Sequence, residues 1–377
     1  MVDGATSFLP RAEDLKPEAD RLEDWPHPRE MLQLFGHETA ERELIDAFQS
    51  GNMHHAWILS GLEGIGKATL AYRIARFALA SVESREALAP QDLMSDPELA
   101  TNRQIAHMSH PGLMVIRRVW NEKTKKPSTI IPVDEVRRLK SFLQHTSTTT
   151  GAWRMVIVDR ADDLNVNAAN ALLKSLEEPP ENCLFLLISS EPGRLLPTIR
   201  SRCRTLELSA LAPLELKNAA GSVMGRSPGS TDDRLFDLAD GCVRRYLALS
   251  AGDGLKYYEQ LLGLLSSLPN LDQGRLLKLS DELSLVTAQQ SFEIFFDLFF
   301  SMLARNIRGQ AGGEGLFEHE KSTLGHMIST SSLAQWAGLW ETIAAEKADV
   351  VRLNLDKKSF VLETFYQMQN LARRAAR

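Results

Sequence analysis

Cysteine is scarce in this sequence: Cys183, Cys203 and Cys242 are the only three in 377 residues. An odd number at wide spacing supports neither a disulfide framework nor a metal cluster, and predicts reduced thiols in a cytoplasmic protein. No apolar run approaches the ~18 residues that a membrane span requires. The opening stretch, MVDGATSFLPRAEDLKPEADRLEDW, has no apolar core of a secretory signal. A basic surplus is missing too, with 43 Lys and Arg against 49 Asp and Glu, a net charge of −6. That balance argues against a chain that coats nucleic acid by itself, although it leaves room for a local basic strip.

What is present is an ordinary globular composition, 44% hydrophobic and 24% charged, in a chain too long for one core. Residues 1–28 are charged and Pro-containing and read as a flexible arm. Glu30 to Phe48 has helical spacing, with Leu34, Leu44, Ile45 and Phe48 supplying the apolar positions. Ala56–Leu59, Met155–Val158 and Cys183–Ile188 are short apolar runs separated by helical stretches. Short apolar strands alternating with helices predict an α/β parallel sheet covered on both faces. Lys123-Thr124-Lys125-Lys126-Pro127 reads as a basic turn, a solvated loop rather than a DNA contact. Beyond Leu208 the strand signal fades: residues 209–253 read as a small helical bundle, and 254–377 as all-helical. Gln290 to Arg305 is apolar almost all round, which predicts burial in a bundle or a subunit interface. Val361, Phe365, Met368 and Ala372 fall on one helical face.

Chemistry enters at Gly61-Leu62-Glu63-Gly64-Ile65-Gly66-Lys67-Ala68, which fits G-x-x-x-x-G-K-[ST] except at its last position. Gly61, Gly64 and Gly66 let backbone N–H groups converge on phosphate oxygens at a helix N-terminus, and Lys67 reaches the β- and γ-phosphates. Ala68 lacks the hydroxyl that would ligate Mg²⁺. Thr69 is rotated by about 100° around the helix and is no simple substitute. The second strand ends in Asp159, the acidic partner of such a loop. The next position, which in a working ATPase carries a carboxylate to polarise water, is Arg160. General-base help is worth ~10²–10⁴ in rate, and a cation cannot give it. Two parts of the hydrolytic machinery are altered together.

Leu195 to Cys203, after the third strand, carries Arg200 and Arg202. Such arginines also read as plain surface charge. Placed just past the strand ends, however, an arginine can reach a neighbouring subunit's nucleotide, where its planar guanidinium contacts phosphate bidentately.

These motifs together resemble the clamp-loader AAA+ family. Ser201-Arg202-Cys203 looks like its SRC motif, and Asn170 to Pro180 (NALLKSLEEPP) is similar to the helix before its sensor 1 strand. Asp159-Arg160-Ala161-Asp162 occupies the Walker B place and Ser189-Ser190 the sensor 1 place. Gly241-Cys242-Val243-Arg244-Arg245 resembles the sensor 2 helix, with Arg244 at the arginine position. The resemblance runs from roughly Phe35 to Leu249. It implies an AAA+ P-loop domain with a parallel sheet (29–208), a helical lid (209–253) and a helical collar (254–377). The altered motifs resemble the delta-prime group of DNA polymerase III rather than the gamma/tau ATPases, although an ATP-hydrolysing gamma/tau-like subunit is the competing reading. A nucleotide kinase or repair ATPase fits less well, because neither accounts for LLKSLEEPP. By resemblance, Arg202 acts in trans on an adjacent ATPase subunit. The implied partners are gamma/tau and delta and, indirectly, the sliding clamp and primed DNA. The family often carries a four-cysteine zinc module between Walker A and Walker B; no cysteine lies between Lys67 and Asp159, so no zinc is expected. Residual binding of ATP or ADP through Gly61, Gly64, Gly66, Lys67, Asp159, Ser189 and Arg244 stays open, without hydrolysis.

Overall fold

Alternation along three central strands sorts their side chains onto two faces of a sheet. In the computed structural model, which describes residues 18, 21–22, 25–121, 126–144, 152–225, 233–313, 315–324, 327–328 and 332–375, the chain divides into two compact units. The first is 1–230 with 240–244, and the second is 231–239 with 245–377. Lys123, Thr124 and Lys125 of the basic turn lie outside the described residues, as does the arm up to residue 17.

The first unit holds β1 (Ala56–Ser60), β2 (Leu113–Ile116), β3 (Arg154–Val158), β4 (Cys183–Ser189) and β5 (Arg204–Glu207). They form one sheet in the order β2-β3-β4-β1-β5, with every pairing parallel. The expected α/β class is what the structure has. Trp57, Leu59, Met155, Ile157, Leu184 and Leu186 face one core, whereas Ile58, Val156, Val158, Phe185 and Leu187 face the other. Besides a short antiparallel pair, Trp120–Asn121 with Lys126–Pro127, two strands of this sheet escaped the sequence reading. β2 is a four-residue run, and β5 is an edge strand in which only Leu206 is buried. Its Arg204 instead lies over the Trp57 ring, 4.8 Å from the centroid.

The longer helices of this unit are α1 (Glu38–Gln49), α2 (Lys67–Leu79), α3 (Val133–Gln144), α4 (Val166–Glu177) and α5 (Pro213–Met224). The helix expected from Glu30 starts only at Glu38. Gly36 has φ +72°, a left-handed turn that breaks helical continuity. Before it, residues 28–30 form one 3-10 turn and residues 31–35 are irregular.

The last part of the expected flexible arm is in fact fastened down. His27 is fully buried and Arg29 nearly so. Arg76, on α2, donates to the backbone carbonyls of Arg29 and Met31. Arg73 donates to Glu41 through Nε and Nη2, at 2.5 and 3.2 Å. Further out, Glu18 accepts from Arg29 at 2.8 Å and Arg117 at 2.6 Å. Glu18, within the stretch read as a flexible arm, is therefore one of the fasteners.

The second unit is helical throughout its described residues: α6 (Arg234–Ala239), α7 (Val243–Ala251, from Arg245 on), α8 (Gly254–Ser266), α9 (Gln273–Ser284), α10 (Gln289–Gln310), α11 (Glu318–Leu324), α12 (Leu333–Leu353) and α13 (Lys357–Ala375). The all-round apolar α10 is buried in this bundle. Its Phe292, Phe295, Phe296 and Phe299 are fully enclosed and pack edge-on or tilted against Phe360 and Phe365 of α13. Val361 and Met368 complete the α13 face. One ion pair is sealed within the bundle, Arg305 with Glu320, and Arg305 also lies 4.2 Å over the Phe317 ring.

Burial alone would raise the Glu18 carboxyl, but hydrogen bonds and charge from Arg29 and Arg117 hold it at about 2, against an ordinary 4.5. A depressed folded value stabilises above the ordinary value and loses that stabilisation as the pH falls toward the folded one. Glu18→Gln is therefore expected to cost ~1–2 kcal/mol at pH 7 once solvent screening is allowed for. In urea unfolding the gap to wild type should close between pH 4.5 and 2. A gap independent of pH would show that the carboxylate charge does not fasten this segment.

Candidate functional site

β1, β3 and β4 lie side by side and in parallel, so Ser60, Val158 and Ser189 end on one edge of the sheet. Ligand sites of open α/β sheets form beyond such carboxyl ends. Residues 61–66 leave β1 there and lead into α2, and Gly61, Gly64 and Gly66 have φ of +138°, +82° and +115°. Space forbids side chains at two of them. A Cβ on Gly61 would lie 2.3 Å from the Leu208 carbonyl, and one on Gly64 would lie 2.4 Å from Arg244 Cβ. His37 Nε2 holds the Ile65 carbonyl at 2.8 Å, which fixes the loop from below.

Lys67 is buried, and all three of its ammonium hydrogens have internal acceptors. Nζ donates to the carbonyls of Gly61 at 2.5 Å and Leu62 at 2.6 Å, and to Ser190 Oγ at 3.0 Å. Burial pushes its amine down from 10.5 to about 8, while Glu63 and Asp162 nearby offset part of that shift. Ala68 packs partly buried against the core.

Asp159 is buried at the end of β3, and its N–H donates to the Ile116 carbonyl. Arg160 follows in the left-handed region at φ +58°. Its Nη1 donates to Glu63 at 2.7 Å, and its Nε is 3.0 Å from Asp163. Burial alone would lower the Arg160 guanidinium, but Glu63, Asp163, Asp159 and Asp162 raise it. Where a water-activating carboxylate would sit, a firmly charged cation is held.

Of the paired serines, Ser189 is fully buried and donates to Asp162 at 2.5 Å. The backbone N–H of Ser190 donates to the other Asp162 oxygen at 2.7 Å. Ser190, not Ser189, therefore meets the loop lysine. Arg244 lies beside the loop: its N–H donates to the Gly64 carbonyl at 3.2 Å, and its Nε is 3.8 Å from Glu63. Lys67, Asp159, Ser190 and Arg244 are thus gathered around one loop.

Arg202 is half-exposed and held by groups of its own. Nη1 donates to the Thr198 carbonyl at 3.0 Å and to Ser201 Oγ at 3.3 Å, and Nη2 is 3.0 Å from Glu177 at the end of α4. Cys203 packs against the core under α4, and burial pushes its thiol up to about 12, so it serves as an anchor rather than a nucleophile.

Residues 36–212 match a sequence model of the family described as DNA polymerase III, delta subunit. The chain is 41% identical over 149 residues to DNA polymerase III subunit delta' of Pseudomonas aeruginosa, covering 40% of this chain and 41% of that protein. It is 33% identical over 234 residues to subunit delta' of Escherichia coli, covering 61% and 65%. Its P-loop unit is thus similar in sequence to the delta' subunits of these two bacteria. A subunit gamma of Buchnera aphidicola is also similar, at 26% identity over 233 residues, covering 59% of this chain and 58% of that protein. The alignments span less than two thirds of each of these three relatives.

In this unit the sequence reading gave Glu63, Asp162, Ser190 and Glu177 only as members of motifs, with no role of their own, and missed Asp163. Each is a short-range partner of a residue that was recognised, and their polarity alone does not separate them from loop residues. Spacing gave the only available signal, because Glu63 lies within the loop motif and Glu177 within LLKSLEEPP.

The Lys67 amine supplies a test. Its folded value of about 8 lies below the unfolded 10.5, so in that window the unfolded chain binds more protons and stability rises with pH. Relative to Lys67→Met, wild type is expected to gain stability from pH 8 to pH 10.5, followed by urea midpoints. A flat difference would show that the amine is not held against its charge.

Proposed function

We propose that the chain is the delta-prime-type subunit of a DNA polymerase III clamp loader in the bacterial cytoplasm. It lends Arg202 in trans to the ATP site of a neighbouring gamma/tau-type subunit and hydrolyses no ATP itself. In this reading delta and gamma/tau are its direct partners. The sliding clamp and primed DNA are engaged through the assembled loader.

The observation that carries the reading is the contrast between the two candidate sites. At the phosphate loop, Lys67 is consumed by its own loop, Ala68 offers no metal ligand, and Arg160 is ion-paired where a base would act. At the other site Arg202 is half-exposed, and each of its partners is a surface group that a phosphate can replace. Guanidinium donors suit that exchange because they bind carboxylate and phosphate with the same geometry. No helix among the described residues is long and apolar enough to cross a membrane.

The gamma/tau-like reading keeps one specific support, the intact glycines and lysine of the loop. The loss of both the metal-ligating hydroxyl and the water-activating carboxylate weighs against it.

The test is DNA-stimulated ATP hydrolysis in a loader reconstituted with this chain. Arg202→Ala is expected to slow the one site it serves by ~10³-fold or more, with Arg202→Lys giving little rescue. Turnover indifferent to Arg202 would overturn the proposal.

A further inference from the structure

The carboxylate of Glu63 sits inside the phosphate loop itself, at its third position. One of its oxygens is 2.7 Å from Arg160 Nη1 and 3.8 Å from Arg244 Nε. These cations arrive from separate segments, one just past β3 and the other at the start of α7. They stand at the water-activating and sensor 2 places. We propose that Glu63 is the specificity-determining residue of the loop, a resident anion that takes the cations a nucleoside triphosphate would need and so excludes it. This deepens the reading of residues 61–67 as a phosphate loop and does not depend on the role of Arg202.

Three observations support the exclusion. First, the backbone on both sides of the carboxylate is fastened to the 242–244 segment. The Glu63 carbonyl accepts from Cys242 Sγ at 2.9 Å, and the Gly64 carbonyl accepts from the Arg244 N–H. The absent Cβ of Gly64 is what allows Arg244 to come so close. Second, Lys67 has its three hydrogens engaged, so an incoming phosphate must unseat it from two carbonyls and a hydroxyl. Third, the surrounding charge is already matched. Arg160 also pairs with Asp163, and Asp159 and Asp162 lie close enough to raise it. A triphosphate entering this loop brings several negative charges up to a carboxylate, and like-charge juxtaposition of that kind opposes binding.

The two Glu63 ion pairs are half-exposed and worth little to folding. A latch of this kind therefore decides what binds rather than whether the chain folds. Removing the Glu63 charge takes one anionic partner from Arg160 and from Arg244 together while leaving the glycines and Lys67 in place.

The experiment is a fluorescence titration of the full chain with an N-methylanthraniloyl-labelled ATP, with urea midpoints confirming that each variant is folded. Glu63→Gln and Glu63→Ala are expected to bind at least ~10-fold more tightly than wild type, and Glu63→Gln combined with Lys67→Ala should lose the gain. The inference is overturned if wild type and Glu63→Gln bind equally, if neither binds measurably, or if the gain survives loss of Lys67. Each of these results leaves the Arg202 measurement unaffected, so failure here and failure of the arginine-donor reading are distinguishable.

Discussion

β1 has no exposed side chain, and its five residues pair in parallel with β4 on one side and β5 on the other. Burying both faces of so short a strand leaves it no freedom of register, since a slip of one residue would exchange the two cores. That fixed register sets where the phosphate loop begins. Through the pairing of β4 with β3, it also sets Asp159 and Ser189 at the same edge. Everything at the candidate site hangs on this strand. Positioning comes from the sheet, whereas the chemistry is left to the residues just beyond it.

Those residues form a site whose charges answer one another. Lys67 turns into its loop, Arg160 and Arg244 meet Glu63, and Asp162 ties the turn after β3 to the end of β4. A loop built to receive phosphate from outside would leave its cations available to the ligand. Arg202 provides the contrast within the same unit. Its guanidinium rests on exposed groups, and the next residue, the partly buried Cys203, packs against the core. One surface satisfies its own charges internally, and the other holds a half-exposed guanidinium on surface groups.

Much of this was legible in the sequence because it follows from periodicity and spacing. The three central strands, the glycine loop, Asp159 and the apolar faces of α10 and α13 all declare themselves in that way. The edge strands did not: β5 buries only Leu206, so it carries no apolar run to detect. The helix at Glu30 was misread because its apolar positions fit a helix, while a single left-handed glycine, Gly36, decides the boundary. The N-terminal charges misled for a different reason. Glu18, Arg29 and Arg117 look solvated one by one, and only their convergence across the fold turns them into a fastening. Glu63 and Glu177 belong to the same class, because a partner distant in sequence gives them their meaning.

The central claim is that this chain donates an arginine and turns over no ATP of its own. The most direct measurement is single-turnover ATP hydrolysis by the complete loader on primed DNA, with Lys67→Ala introduced into this subunit alone. The account predicts an unchanged number of hydrolysing sites and an unchanged rate. Loss of one site's share of product would contradict it and identify the loop as a working ATPase despite Ala68 and Arg160.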